Sequence, residues 1–210
     1  MPATRHLLLI AFLACAPARA GAAQVTLIPA VKDPASFVFA HWNPWAVRVP
    51  PILIPEPARQ AFPRFALPVW LPDGPPVRTA SLPELGGHVV LLDFWSRSCP
   101  ACVPLHEAIM RDAPGWKAMG VEVVTILSEE DPAGLADFFE AHGGLPPFPV
   151  LIDRRGAVLA SLGTAYFPRL EVLDIYGRRA VSRLDGYGGL PDLPPLFRTL
   201  LAAGARPVAR

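Results

Sequence analysis

Two stretches constrain this chain more than any others: His88 to Trp95, HVVLLDFW, and Val121 to Leu127, VEVVTIL. A strand with one wet face alternates apolar and polar residues, whereas these runs are apolar almost without a break, so each reads as a strand covered on both sides. The sequence between them predicts a helix from near Cys99 through Met110, and Asp131-Pro132 opens a second helix that stops at Gly143-Gly144. Strand, helix, strand, helix with apolar strands requires a parallel sheet covered by helices, because parallel neighbours need a crossover to reach one another.

Further on the pattern changes. Pro149 to Asp153 reads as a strand and Gly156 to Leu162 as a short helix. Arg169 to Ile175, the turn Tyr176-Gly177-Arg178 and Ala180 to Leu184 then make an antiparallel hairpin, and Leu190 to Ala203 closes the chain as a helix. Ahead of the first buried strand, Phe65 to Leu71 with Pro72-Asp73-Gly74 reads as strand and turn, and Ser81-Leu82-Pro83-Glu84 as a capped helical turn. The expected fold class is α/β: a βαβ front half joined to a ββα back half, giving a central mixed sheet flanked by helices.

The front of the chain has another character. Of 210 residues 27 are proline, many of them before position 77, and from Gly21 to about Phe62 they break up apolar patches such as FVFAHWNPWAVRVPPILIPEP. Proline is excluded from helix interiors and central strands, so residues 21–62 are expected to form an extended, partly polyproline arm. Such an arm serves as a spacer or a strap lying on the domain; alternatively Phe37, Phe39, Trp42 and Trp45 form a docking surface for a partner.

Residues 1–20 carry Arg5, the apolar run Leu8 to Ala14, and Ala18-Arg19-Ala20, which together read as a secretory signal with its small-x-small cleavage site. The run is well short of the roughly 20 residues that span a membrane. Cleavage removes Arg5 and Arg19 but no acid, which takes the formal charge from +1 to −1. With no Lys/Arg block, nothing points to nucleic acid as a partner. Cys15 lies inside the signal. Leu13-Ala14-Cys15 faintly resembles a lipoprotein cleavage box, with Phe12 where Leu is usual, and the A-x-A site is the more ordinary reading. After cleavage only Cys99 and Cys102 remain.

That pair, Cys99-Pro100-Ala101-Cys102, directly follows the first buried strand. Pro100 suits the first turn of a helix, which places Cys99 at the helix start, where unpaired N–H groups and the helix dipole stabilise a thiolate and lower the thiol's pKa from about 8.5. Cys102 falls one turn deeper on the same face. Cys99 can then attack a substrate disulfide and Cys102 displace the mixed disulfide. A purely structural disulfide is a weak rival, because so small a loop constrains the unfolded chain by only about 2 kcal/mol. Zinc is another, with His106 four residues after Cys102, yet a structural site needs four ligands and there is no second cluster; His106 reads as a surface helix residue. A peroxide-reducing cysteine with Arg97 beside it explains the second cysteine less well than dithiol exchange does.

Strand-DFW-xxx-CPAC-helix, followed by strand, helix and a proline opening a hairpin, resembles the thioredoxin superfamily. The export signal and the Pro149 to Asp153 stretch make it most similar to the periplasmic TlpA/ResA-like thiol–disulfide oxidoreductases. The resemblance covers roughly residues 63–205, and leaves 206–210 as a tail. It implies that Cys99 attacks and Cys102 resolves, that Pro168 is the cis-proline beside the active site, and that Asp93 is a buried acid shuttling the resolving thiol's proton, a task to which burial suits a carboxyl. For Asp93 a solvent-facing or merely hydrogen-bonded strand-end role is the other reading. The only redox group implied is the Cys99–Cys102 disulfide, without a separate cofactor or metal. The implied partners are proteins with disulfides or thiols, such as apocytochromes of cytochrome c biogenesis or copper-site assembly factors, together with a membrane redox partner; the chain is expected to be a monomer.

Three positions depart from the family: Ser98 replaces the frequent Trp, Phe167 is bulkier than the usual Thr, Val or Ile, and Pro104 is expected to bend the helix early. The chain thus reads as an exported oxidoreductase that reduces its partners. The alternative is a copper-carrying assembly module that uses Cys99, Cys102 and His106.

Overall fold

The computed structural model describes residues 51–75, 78–163, 166–181, 184 and 189–205. The expectations for the export signal, Cys15, the aromatic cluster Phe37, Phe39, Trp42 and Trp45, and the 206–210 tail lie outside the described residues.

A small antiparallel pair, β1 (Ala66–Pro68) and β2 (Thr79–Ser81), precedes the main sheet. The main sheet holds β3 (Val89–Trp95), β4 (Val121–Leu127), β5 (Val150–Ile152) and β6 (Arg169–Leu173), in the spatial order β5-β4-β3-β6. β3, β4 and β5 are parallel; β6 runs antiparallel to β3, with Val90 opposite Leu173 and Phe94 opposite Arg169. The helices are α1 (Cys102–Ala118), α2 (Leu135–Ala141), α3 (Ala157–Ser161) and α4 (Pro194–Gly204). This is the mixed α/β sheet that the sequence predicts.

The apolar runs are buried on both faces, for the reason read from them. All seven residues of β3 are buried, and because successive side chains of a strand point to opposite faces, they divide between two cores. Val89 and Leu91 join Val121, Val123 and Val172 under α1 and α4, where Trp116 meets Phe197 edge to face at 5.5 Å. Val90, Leu92 and Phe94 join Val124, Ile126 and Leu151 on the other face, covered by Val158 and Leu159 of α3 and by Phe62 and Phe65 ahead of β1. By this alternation Asp93 and Trp95 share the α1 face with Val89 and Leu91.

Two elements, α1 and α2, differ from expectation. α1 continues to Ala118, through Pro114, instead of ending near Met110. Its buried stripe Cys102, Leu105, His106, Ile109, Ala113, Trp116 keeps helical spacing, and burying Trp116 offsets the hydrogen bond that proline removes. Pro104 sits in the first turn of α1, where a missing N–H leaves no internal bond unmade, and the helix continues past it. α2 opens at Leu135, not at Asp131-Pro132, because the carbonyls of Asp131 and Ala133 accept hydrogen bonds from the Arg97 guanidinium at 2.8 and 2.7 Å. Those oxygens are unavailable to a helical ladder.

The hairpin turn forms at Tyr176-Gly177, with Gly177 at a φ of 70° that favours glycine. Its return arm is held by bridges and single bonds rather than a continuous strand among the described residues: Ala180 N–H donates to Val172 O at 2.8 Å, and Leu170 N–H to Leu184 O at 2.8 Å. The outer edge of that arm is taken by residues 51–62. Leu53 bridges Val181, Ala61 bridges Arg178, and the N–H groups of Ile54 and Phe62 donate to Ala180 and Gly177. The last part of the proline-rich arm is therefore a strap on the domain, closing a sheet edge that would otherwise present unpaired backbone.

Candidate active site

The site lies where β3 and β4 end and α1 begins. Cys99 and Cys102 form a disulfide, with Cα atoms 5.3 Å apart. The helix proper starts at Cys102; Cys99 occupies a turn just before it, donating its N–H to Ser96 O at 3.1 Å while its own carbonyl accepts from Cys102 N–H at 3.0 Å. This corrects the expectation that Pro100 lies in the first turn of the helix and Cys99 at its start. No side chain caps the N-terminus of α1 and no acid lies in its first turn. The free N–H groups there face the sulfurs' end of the helix. Cys99 is half-buried next to exposed Pro100, whereas Cys102 is 1% exposed. One cysteine meets the solvent and the other sits behind it.

The segment leading to Cys99 is pinned. The N–H and the side-chain Nε of Arg97 both donate to the Glu129 carboxylate, the latter at 2.6 Å, and Ser96 Oγ donates to it at 3.1 Å. Ser98 N–H donates to Ser96 Oγ at 3.2 Å. Arg97 thus clasps the 129–133 loop to the active-site turn, rather than standing ready as a partner for a reacting sulfur.

Phe167-Pro168 is a cis peptide bond, and Pro168 is buried at the start of β6. Cys99, Phe167 and Trp70 pack against a cluster formed by Trp95, Cys102, Leu127, Leu135, Phe139, Val150 and Ile152. The cysteine pair and the proline loop, separated by some seventy positions in the sequence, therefore border one apolar patch.

Below that patch lies a polar layer. Asp93 is 1% exposed, and its Oδ2 accepts from Thr125 Oγ1 at 3.1 Å and lies 2.8 Å from His106 Nδ1. His106 is 2% exposed, with its ring stacked on Trp95 at 4.3 Å and 13° and bordered by Phe139 and Phe148. The expectation of a surface histidine is corrected: position 106 falls on the inward stripe of α1, four residues after Cys102. Among the described residues no group of three His, Cys, Asp or Glu side chains could hold a metal ion. The solvent-facing reading of Asp93 fails as well. Two signals could have located this pair in the sequence: the parity of Asp93 with Val89 and Leu91, and the 102/105/106/109 stripe.

A family model described as Redoxin matches residues 57–179. The thiol–disulfide oxidoreductase ResA of Bacillus thuringiensis is 26% identical over 114 residues, covering 50% of this chain and 65% of that protein. ResA of Oceanobacillus iheyensis is 29% identical over 128 residues, covering 56% and 63%. The chain thus matches a little under two thirds of the length of these relatives. Among solved structures, a candidate thiol:disulfide interchange protein DsbE from Chlorobium tepidum superposes with a TM-score of 0.54 at 25% identity, over 70% of this chain and 97% of its own.

Proposed function

Since this chain belongs to the Redoxin family, we propose that it is a thiol–disulfide oxidoreductase acting on protein disulfides through Cys99 and Cys102. The observation that carries this reading is the asymmetric pair: a disulfide whose first cysteine is half-exposed ahead of an uncapped helix N-terminus, and whose second is buried behind it. A thiolate at Cys99 attacks a substrate disulfide, forming a mixed disulfide and releasing one substrate thiolate. Cys102 then attacks Cys99 Sγ, re-forming the internal disulfide and releasing the second thiolate. Two electrons pass from the dithiol to the substrate. The cis-Pro168 loop borders the same apolar patch as Cys99, which suits it to hold an extended substrate segment.

In the cell the proposed role is that of a reductant for partner proteins outside the cytoplasm. The support for export is the signal-like composition of residues 1–20, and that for thiol–disulfide exchange the names of its thiol–disulfide oxidoreductase relatives. Residues 21–62 are proposed as the arm that follows the signal, and 63–205 as the oxidoreductase domain. Asp93 is proposed to serve the proton traffic of the resolving step.

The decisive experiment is trapping. Cys102→Ser should accumulate mixed disulfides with partner proteins through Cys99, and Cys99→Ser should accumulate none. Equal trapping by both variants, or by neither, would remove the exchange reading.

A further inference from the structure

A thiol buried like Cys102 must lose a proton before it can attack, and Cys102 belongs to an apolar cluster. The buried polar group of Asp93, Thr125 and His106 reaches the same stripe of α1 through His106. Helical side chains lean toward the N-terminus over the turn three or four residues earlier. The His106 ring therefore lies over the turn that carries Cys102, on the same buried stripe. Its two nitrogens are unequal. Nδ1 is 2.8 Å from Asp93 Oδ2, whereas Nε2 is buried without a hydrogen-bond partner. Thr125 Oγ1 also donates to Oδ2, so that oxygen serves as an acceptor and Nδ1 as the donor. This fixes the tautomer with the lone pair on Nε2. Among the described residues, Asp93 is the only titratable group shown in contact with the ring; its other neighbours are Trp95 of β3, Phe139 of α2 and Phe148 ahead of β5.

We propose that His106, oriented by Asp93, accepts the proton of Cys102 as that thiol resolves the mixed disulfide. The imidazole, and not the carboxylate, is thus the immediate base, an arrangement with the logic of a nucleophile, a base and an orienting acid. The Cys102 S–H bond breaks and its proton passes to Nε2. The Cys102 sulfur forms a bond to Cys99 Sγ as the Cys99–substrate S–S bond breaks, and the substrate leaves as a thiolate. The imidazolium, held by the Asp93 carboxylate, returns its proton to solvent or to the leaving thiolate. In net terms the dithiol is oxidised by two electrons and the substrate disulfide reduced by two.

The proposal rests on the exchange reading, and the test separates the two. Reduced protein is mixed with the aromatic disulfide dithiobis(nitrobenzoate), which releases one coloured thiolate on attack by Cys99 and a second on resolution by Cys102. In His106→Asn, which keeps a donor toward Asp93 but no base, the second phase should slow roughly tenfold or more at pH 7. It should return to within about twofold of the parent well above the ordinary thiol pKa of about 8.5, where the thiolate forms unaided. His106→Phe, which keeps the ring stack, repeats the test should the Asn variant fail to fold. An unaltered pH profile, or slowing by the same factor at every pH, overturns the proposal. So does loss in Asp93→Asn alone, which would make the carboxylate the base. A second phase that persists in Cys102→Ser would instead sink the exchange reading itself.

Discussion

Asp93 and Asp174 are the same residue type at almost the same burial, 1% and 3% exposed, and their surroundings are opposite. Asp174 is saturated: Oδ1 accepts the N–H groups of Tyr176 and Arg178 at 3.0 Å each, and Oδ2 accepts Arg59 at 3.1 Å and Arg178 at 2.9 Å. Asp93 has both its contacts on Oδ2 and none on Oδ1, and its partner His106 keeps Nε2 unmatched. Four donors on four acceptor sites make a fastener, which ties the 51–62 strap to the hairpin turn. Two donors on one oxygen, beside a histidine with a spare lone pair, leave capacity for a proton. A buried acid's role thus follows from how completely its acceptor sites are filled, not from its burial.

The largest expected effect comes from breaking the fastener. Asp174→Ala strands Arg59, whose side chain is 6% exposed, and uncaps two backbone N–H groups; the expected loss is about 3–5 kcal/mol in urea unfolding. A loss under about 1 kcal/mol would show that the strap is held by its backbone bridges alone. Acid acts on the same carboxylate. Burial pushes Asp174 up, but the Arg178 N–H, the Arg178 and Arg59 guanidinium groups and the Tyr176 N–H outweigh it and hold it below its ordinary 3.8. A carboxylate favoured in the folded state adds stability that is fully present above the unfolded value and lost as pH falls through the folded one. The stability gap between the parent protein and Asp174→Asn should therefore be flat above about pH 5 and close below pH 4. A gap that persists at low pH would assign it to packing.

Asp93→Asn sharpens the contrast from the other side. With two contacts to lose and one oxygen already unmatched, it should change unfolding free energy by no more than about 1 kcal/mol. A cost as large as that of Asp174→Ala would make Asp93 a structural fastener too. A similarly small effect is expected at the clasp ahead of Cys99. Arg97→Ala removes a half-exposed pair with Glu129 and two loop contacts, which should cost about 1 kcal/mol. It should slow the Cys99 phase of exchange a few-fold by loosening the 96–98 turn. An unchanged rate would show that the turn is held by Ser96 and Ser98 alone.

The sequence by itself determined the strands, the order of the helices and the chemistry at the mouth of α1. HVVLLDFW and VEVVTIL could be satisfied only by burial on both faces, and Cys-Pro-Ala-Cys directly after the first of them put two sulfurs at a helix start. These are local matters, set by period, composition and turn chemistry over a few residues. Only the tertiary structure decided that α1 runs through Pro114 to bury Trp116, that Arg97 delays the start of α2, that the last proline-rich residues strap the hairpin, and that His106 turns inward to Asp93. Each of those outcomes depends on a partner distant in sequence, and the free energy that selects it comes from burial and hydrogen bonds that no local window contains.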